Sequence, residues 1–303
     1  MSLAPSPPVS TPARAAVRQR VREREPRFGW RTRERLFGVV LATVMLIVVS
    51  AMIGPFIWMF VTSLKTADQI IETPPTLIPR PATLQHFARL FDELAFLRIF
   101  LNSLIVTTSI TAVSLFFNSL GGYTFAKFNF PYKNLLFMAL ILTMMVPMQV
   151  TMLPAFLLLK ELGLLNTYLG LILPAMSSVF GIFLMRQFIY SIPDSLIESG
   201  RLDGCSELRI FWSIILPQCR PALAALGIFT FMAAWQDFLF PLIILHDESM
   251  YTLPVALATL SGQHATDWGL LMAGSLVVIL PIATVFMFMQ RRFVAGITLT
   301  GMK

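Results

Sequence analysis

Six stretches of this chain are each long and apolar enough to cross a lipid bilayer. That requirement limits the fold more than any other feature. The stretches run Leu36–Val61, about Ile99–Gly122, Leu135–Leu159, about Leu169–Tyr190, Pro221–Leu245 and Gly269–Met289. A spanning helix needs about 20 mainly apolar residues. Within hydrocarbon the backbone must bond to itself, so a continuous apolar run of this length reads as an α-helix. The expected fold is therefore all-α and integral to the membrane, with six transmembrane helices. Composition excludes the main competitor. Only 13% of the 303 residues are charged, against about 25% in soluble domains, so a water-soluble enzyme could not keep its surface dispersed.

Orientation follows from Lys and Arg, which collect on the inner side of a membrane. With the N-terminus inside, 18 of the 23 Lys and Arg fall in inner segments and 5 in outer ones. The reading is N-in, C-in. It divides the chain into a basic, mobile inner arm (1–35), a first span (36–61) and an outer loop (62–98). A five-helix core (99–290) carries an inner loop at 191–220, and an inner tail (291–303) follows. Nine Arg lie in the first 35 residues, a pattern that sets topology and rests on anionic lipid headgroups and that does not call for nucleic acid. The first span is too long for the apolar region of a cleaved signal. Cys205 and Cys219 form neither a disulfide framework nor a zinc pattern and read as plain thiols; no metal site is expected.

Two outer loops are long, Thr62–Arg98 and His246–Trp268. The first contains Pro74, Pro75, Pro79 and Pro81, so it reads as turn-rich rather than one helix. It suits a covering flap or a docking surface. The inner loop after the fourth span is the most informative segment. Pro193 and Asp194 suit the start of a helix, and Gly204 suits a left-handed stop. Between them lie Leu196, Ile197, Glu198, Ser199, Gly200, Arg201, Leu202 and Asp203. A helix of about ten residues with mixed-sign charge is expected here. A helix lying on lipid favours Lys and Arg on its polar face, so a protein contact fits this one better.

In that loop Glu198-Ser-Gly, three residues, Gly204, nine residues and Ile214-x-Leu216-Pro217 resemble the EAA loop of ABC-importer permeases. Ser199 and Gly200 stand where Ala is usual, and Gly inside a helix costs about 1 kcal/mol relative to Ala. Other segments resemble carbohydrate-uptake permeases: Ser63-Leu-Lys65 with Pro74–Pro79, Asn102-Ser103, Tyr123-x-Phe-Ala126, Leu162-Gly-Leu-x-Asn166-Thr167, Trp235-Gln-Asp-Phe238 and Phe293–Thr298. The chain is similar to the second six-span permease of maltose-type importers over about Gly54–Lys303. The resemblance implies the type I ABC-importer bundle in a bacterial-type inner membrane. The implied partners are a second homologous permease, two ATP-binding subunits that bind the ATP, and an extracytoplasmic solute-binding protein. No cofactor is implied for this chain. Glu198, Ser199, Gly200, Arg201, Leu202, Asp203 and Gly204 are the implied ATPase-coupling residues.

Asp237 is the one acid in a span, and an intramembrane acid is a functional candidate. With Trp235, Gln236 and Phe238 it suits a sugar's hydroxyls and C–H faces; a purely local anchoring role fits it equally. Gln263 and His264 stand where the family docks its binding protein, although a solvated loop histidine is the commoner situation. The chain lacks a G-x-x-x-x-G-K-[ST] phosphate loop, so it is not expected to be an enzyme. Three function classes compete. A transport subunit leads. A stand-alone secondary transporter is disfavoured by the lack of inverted halves. An intramembrane enzyme is disfavoured because His86, His246 and His264 all map to outer loops. Within the first class a polyol or glycerol phosphate ester is the alternative cargo.

Overall fold

The computed structural model describes residues 27–93, 95–260 and 267–300. The regular structure among the described residues is helical, without strands. In chain order α1 is Arg27–Ser63, α2 Ala67–Ile71, α3 Gln85–Glu93, α4 Phe96–Lys127, α5 Lys133–Leu142 and α6 Met148–Glu161. Then come α7 Tyr168–Ile172, α8 Val179–Tyr190, α9 Asp194–Leu202, α10 Glu207–Ile210, α11 Leu216–Gln218 and α12 Arg220–Gln236. The last are α13 Leu239–Ile244, α14 Leu253–Leu260 and α15 Trp268–Thr300.

The chain separates into two units at Trp58 and Met59. The described part of the first unit is α1 up to Trp58. This helix already begins at Arg27, directly after Pro26. The nine residues before Leu36 are thus helical as well, while the stretch apolar enough to span begins at Glu34. The earlier part of the arm lies outside the described residues.

The second unit is built around α4. Helices α8 and α12 pack along it, and α15 packs on α12 and α3. Small residues permit the closest approach. A Cβ added at Gly122 would fall 2.6 Å from Met185 Cβ and 2.8 Å from Arg186 N, so only glycine lets α4 and α8 touch there. In a membrane such small residues are what allow helices to meet closely. One helical turn away, Asn118 is fully buried. Its Nδ2 donates to Ser114 Oγ at 2.7 Å. Its Oδ1 accepts from Ser178 N at 2.8 Å and Ser177 Oγ at 3.3 Å. Those bonds serve polar groups exposed where the chain breaks before α8.

Among the described residues, three stretches are long and apolar enough to span as single helices: Glu34–Ser63, Phe96–Lys127 and Trp268–Phe288. The other three expected spans are helical but broken, and proline explains most of it. Pro147 and the extended Val146 before it turn Lys133–Met145 by 103° from Met148–Glu161, because the residue before proline avoids helical angles. The fourth divides into α7 and α8 around Pro174. The fifth breaks at Asp237 and Phe238, between α12 and α13. The first outer loop contains the short helices α2 and α3 among turns, as its prolines imply.

Apolar side chains gather in three cores. The outer one joins Leu90, Phe96, Trp235, Leu253 and Leu270. A second joins Val106, Ile110, Leu159, Phe240 and Ile244. The innermost runs from Tyr123 and Ala126 of α4 through Met185 and Ile189 of α8 into the inner loop, at Ile197, Ile210, Phe211 and Ile215.

The α4–α8 contact gives a direct test. Gly122→Ala forces the two backbones apart and is expected to cost about 1–3 kcal/mol. Gly227→Ala, whose Cβ would sit an ordinary 3.5 Å from Leu115 Cδ1, should be close to neutral. Thermal unfolding in detergent checks this; equal midpoints for the two variants would contradict the packing argument.

Candidate functional site

The inner loop folds much as its residues demand. Pro193 sets the entry to α9 (φ −59°, ψ 134°), a rigid start that lacks only an N–H the helix does not use. Asp194 lies in the first turn and Arg201 in the last, each favourable to the helix dipole. Gly204 then adopts φ +75° and turns the chain out, the role glycine fills without a Cβ clash.

Two faces separate along α9 at helical spacing. Ile197 and Gly200 are buried. Ser195, Glu198, Ser199 and Leu202 form the exposed stripe. Leu202 is 89% exposed, and Leu196 beside the stripe is exposed too, so neither supplies an inward apolar contact. Among the described residues Glu198 has no ion-pair partner at contact distance, because the neighbouring Arg201 donates its Nε to Glu207 Oε1 at 2.7 Å. The stripe thus combines a large apolar side chain, a free carboxylate and two hydroxyls. That is the make-up of a surface awaiting a protein.

The buried face is attached to α4 at both ends. At the start of α9, Lys127 Nζ pairs with Asp194 Oδ1 at 2.6 Å and also donates to the Ile192 carbonyl. The Lys127 hydrogen bond and charge hold the Asp194 carboxyl below the usual carboxylate range. Beyond the end of α9, Tyr123 Oη donates to Glu207 Oε2 at 3.0 Å, while the other oxygen of Glu207 takes Arg201. Ser206 caps the next helix, its Oγ accepting from Arg209 N.

Gly200 has a packing reason. A Cβ there would lie 2.9 Å from Ile214 Cδ1 and 3.2 Å from Ile210 Cγ1, so its absence lets α9 settle onto the turn that follows. That turn, Phe211–Ile215, is a π-helix. Pro217 cannot donate to the carbonyl of Ser213, which relaxes the ladder. With Pro221 it also permits the 83° bend between Glu207–Gln218 and Arg220–Gln236. The Ile214-x-Leu216-Pro217 run is therefore the elbow that returns the chain to the membrane.

Magnitudes separate what adheres from what aligns. Burying Ile197, Ile210, Phe211 and Ile215 contributes about 1.5–3 kcal/mol each. Arg201 and Glu207 are solvent-exposed, as is the Asp194 end of its pair with the buried Lys127, and pairs open to water are worth far less. The apolar core holds the loop on, and the directional bonds from Tyr123 and Lys127 fix its register.

The other expected site residues fall into two groups. Trp235 is buried, its Nε1 donating to Val278 O at 3.0 Å, and it stacks on Phe231. Its indole packs within the helix core. Gln236 is exposed. Asp237 and Phe238 are half-buried at the break between α12 and α13. Gln263 and His264 lie outside the described residues. Just after them, Asp267 takes Arg89 at 2.6 Å and the Leu270 N–H at 3.0 Å. Partial burial opposes its ionisation, but these bonds and the nearby charges of Arg89 and His86 keep its carboxyl below the ordinary range. His86 is buried and meets the Lys65 carbonyl at 2.8 Å. Asn102 Nδ2 donates to the carbonyls of Ser249 and Tyr251. Ser103 Oγ accepts from Leu253 N, and Asn166 Oδ1 accepts from His246 N and Asp247 N. The outer-side motifs thus secure loops.

A clamped loop helix with an unpartnered outer stripe, set on a broken-helix membrane bundle, can be compared with known proteins. The family described as binding-protein-dependent transport system inner membrane component matches residues 118–299. The chain belongs to that family. It is similar to the arabinooligosaccharides transport system permease protein AraQ of Halalkalibacterium halodurans, 36% identical over 252 residues, covering 82% of this chain and 90% of that one. It is also similar to the sn-glycerol-3-phosphate transport system permease protein UgpE of Yersinia pestis, 33% identical over 267 residues, 85% and 95% of the two chains. A chain in the crystal structure of a bacterial ABC transporter involved in alginate import shares the fold. Its TM-score is 0.76 at 24% identity, covering 86% of this chain and 97% of that one.

The matched region contains both ends of the Glu207 bond network but not Tyr123's role, which no motif discloses. Tyr123→Phe deletes one bond to a carboxylate and should cost about 1 kcal/mol after screening. Amide exchange checks it. Gly200–Ile210 should exchange faster in the variant while α4 is unchanged; unaltered exchange in the loop would remove Tyr123 from the clamp.

Proposed function

We propose that this permease is the transmembrane subunit of an ATP-driven carbohydrate importer and is not itself an enzyme. It forms half of the solute pathway, with a second homologous permease as the other half. Two ATP-binding subunits supply the energy, and an extracytoplasmic binding protein delivers the solute. The observation that carries the reading is α9. Its buried face is fixed to α4, and its exposed stripe of Ser195, Glu198, Ser199 and Leu202 has no ion-pair partner among the described residues. A load applied to that stripe passes into a membrane helix instead of being lost in a flexible loop.

In this reading Glu198 makes the charged contact to the ATPase and Leu202 the apolar one. Ser199 completes the stripe, Gly200 and Arg201 seat the helix, and Asp203 and Gly204 set its exit. As the ATPase dimer closes on ATP, α9 moves and takes α4 with it. The solute path includes Gln236, Asp237 and Phe238. The break between α12 and α13 supports this assignment, since irregular backbone at membrane depth is tolerated where it is buried in protein or lines a cavity. The carbohydrate reading draws on the arabinooligosaccharide relative. The glycerol phosphate relative supports a second reading, in which the cargo is a polyol or glycerol phosphate ester.

Reversal of the charge at the stripe tests the coupling. In the reconstituted importer, Glu198→Arg should lower solute-stimulated ATP turnover and uptake at least tenfold while the chain remains inserted and folded. Unimpaired uptake would end the coupling role of α9. Ligand binding to the companion binding protein decides between the two cargo classes.

A further inference from the structure

A cavity of about 630 Å³ opens beside α9 at the inner end of α4 and α8. Its lining includes Lys127, Lys133, Arg186, Asp194, Tyr132 and Tyr190. It lies on the Lys/Arg-rich side, the inner membrane surface by the orientation read from the sequence. Its volume falls in the range of small-ligand pockets, about 300–1,000 Å³.

The charge inventory there does not balance. Three cations meet a single carboxylate, Asp194. The C-terminus of α4 adds the partial negative charge of its free carbonyls, about half an elementary charge. About 1.5 positive charges remain without a protein counter-charge. Cations at a helix end often do nothing more than cap it, and some of that happens here. Lys133 Nζ donates to Phe128 O at 2.7 Å, and Arg186 Nε donates to Phe125 O at 3.3 Å. Yet one cation suffices for a helix end, and three are present. Arg186 also lies 4.0 Å over the ring of Phe137. That contact and its Nε bond fix the guanidinium, while its two terminal NH2 groups have no bond among the described residues. A fixed guanidinium fork with free terminal donors suits a phosphate.

The rim suits a lipid rather than a solute from water. Tyr132 and Tyr190 are 76% and 67% exposed, and tyrosine is enriched at the headgroup level of bilayers. Tyr132 is held at φ +60°, a left-handed conformation that is uncommon for a bulky residue. Beyond it, Leu135 and Leu136 lie exposed on α5, an apolar surface on which acyl chains can lie. Basic pockets between helices on the inner side bind anionic lipid headgroups.

We propose that Lys127, Lys133 and Arg186 form a binding site for the phosphate of an anionic phospholipid of the inner leaflet. The lipid neutralises the surplus charge and sits next to the Lys127–Asp194 pair that begins α9. The inference stands on this pocket alone and does not depend on the nature of the transported solute.

Native mass spectrometry of the full chain with its co-purifying subunits tests it. The probes are phosphatidylglycerol, phosphatidylcholine and inorganic phosphate. Phosphatidylglycerol should be retained at least tenfold over phosphatidylcholine. Lys133→Gln with Arg186→Gln should reduce that preference at least fivefold, while Lys133→Arg keeps it. Should the double variant fail to fold, amine labelling of Lys133 in the unsubstituted protein replaces it. Labelling should fall at least fivefold in vesicles containing phosphatidylglycerol relative to pure phosphatidylcholine. Equal retention of the two lipids would overturn the proposal. So would displacement of phosphatidylglycerol by millimolar inorganic phosphate, which makes this a free-anion site. Protection of Lys133 in lipid-free detergent by a bound subunit would also overturn it, because a protein would then cover the pocket.

Discussion

The inner end of α4 is attached to the inner loop at two points, one at the start of α9 and one in α10, and much of the remaining architecture serves that attachment. Lys127 engages Asp194 at the start of α9, and Tyr123 engages Glu207 beyond its end. Two directional bonds a helical turn apart on one helix define an orientation, which a single bond cannot. The apolar core beneath them supplies the adhesion, since four buried aliphatic and aromatic side chains outweigh ion pairs whose carboxylates are open to water. Glycines then bring the elements within reach: Gly122 lets α8 approach α4, and Gly200 lets α9 settle on the turn at Phe211–Ile215.

The broken helices follow from the same economy of polar groups. A membrane interior tolerates a free N–H or C=O only where some other group satisfies it. Asn118 serves the break before α8. It is a buried polar side chain whose first duty is the local backbone. Trp235, two residues before Asp237, is committed to the core through Val278.

Much of this was legible from residue order. Apolar length announced a membrane protein, and Pro193, Asp194 and Gly204 marked α9 to within a residue or two. The EAA-like spacing located the loop, and the turn-rich outer segment followed from its prolines. What could not be read was tertiary. Hydropathy counts apolar length but does not see a 103° bend at Pro147, so three expected spans are broken in the structure. Helix propensity marks Gly200 as a cost, whereas packing against Ile214 gives it a purpose. Tyr123 stood in a short motif and Lys127 among the inner bases, and only their contacts with residues 84 and 67 positions later reveal the clamp. Trp235 sits at the end of an apolar run, and which way its ring faces is decided by α15, far along the chain.

The central claim is that α9 and α4 move as one body, and distance measurement across the clamp tests it most directly. Spin labels at Leu202 and Asn129, with Cys205 and Cys219 replaced, report the separation of the loop helix from the end of α4. They would be placed in the assembled importer with and without trapped ATP. The account predicts that this distance distribution stays the same in both states while the distance from Leu202 to the partner permease changes. A change between Leu202 and Asn129 on ATP binding would contradict it, because the loop would then be moving independently of the helix it is meant to drive.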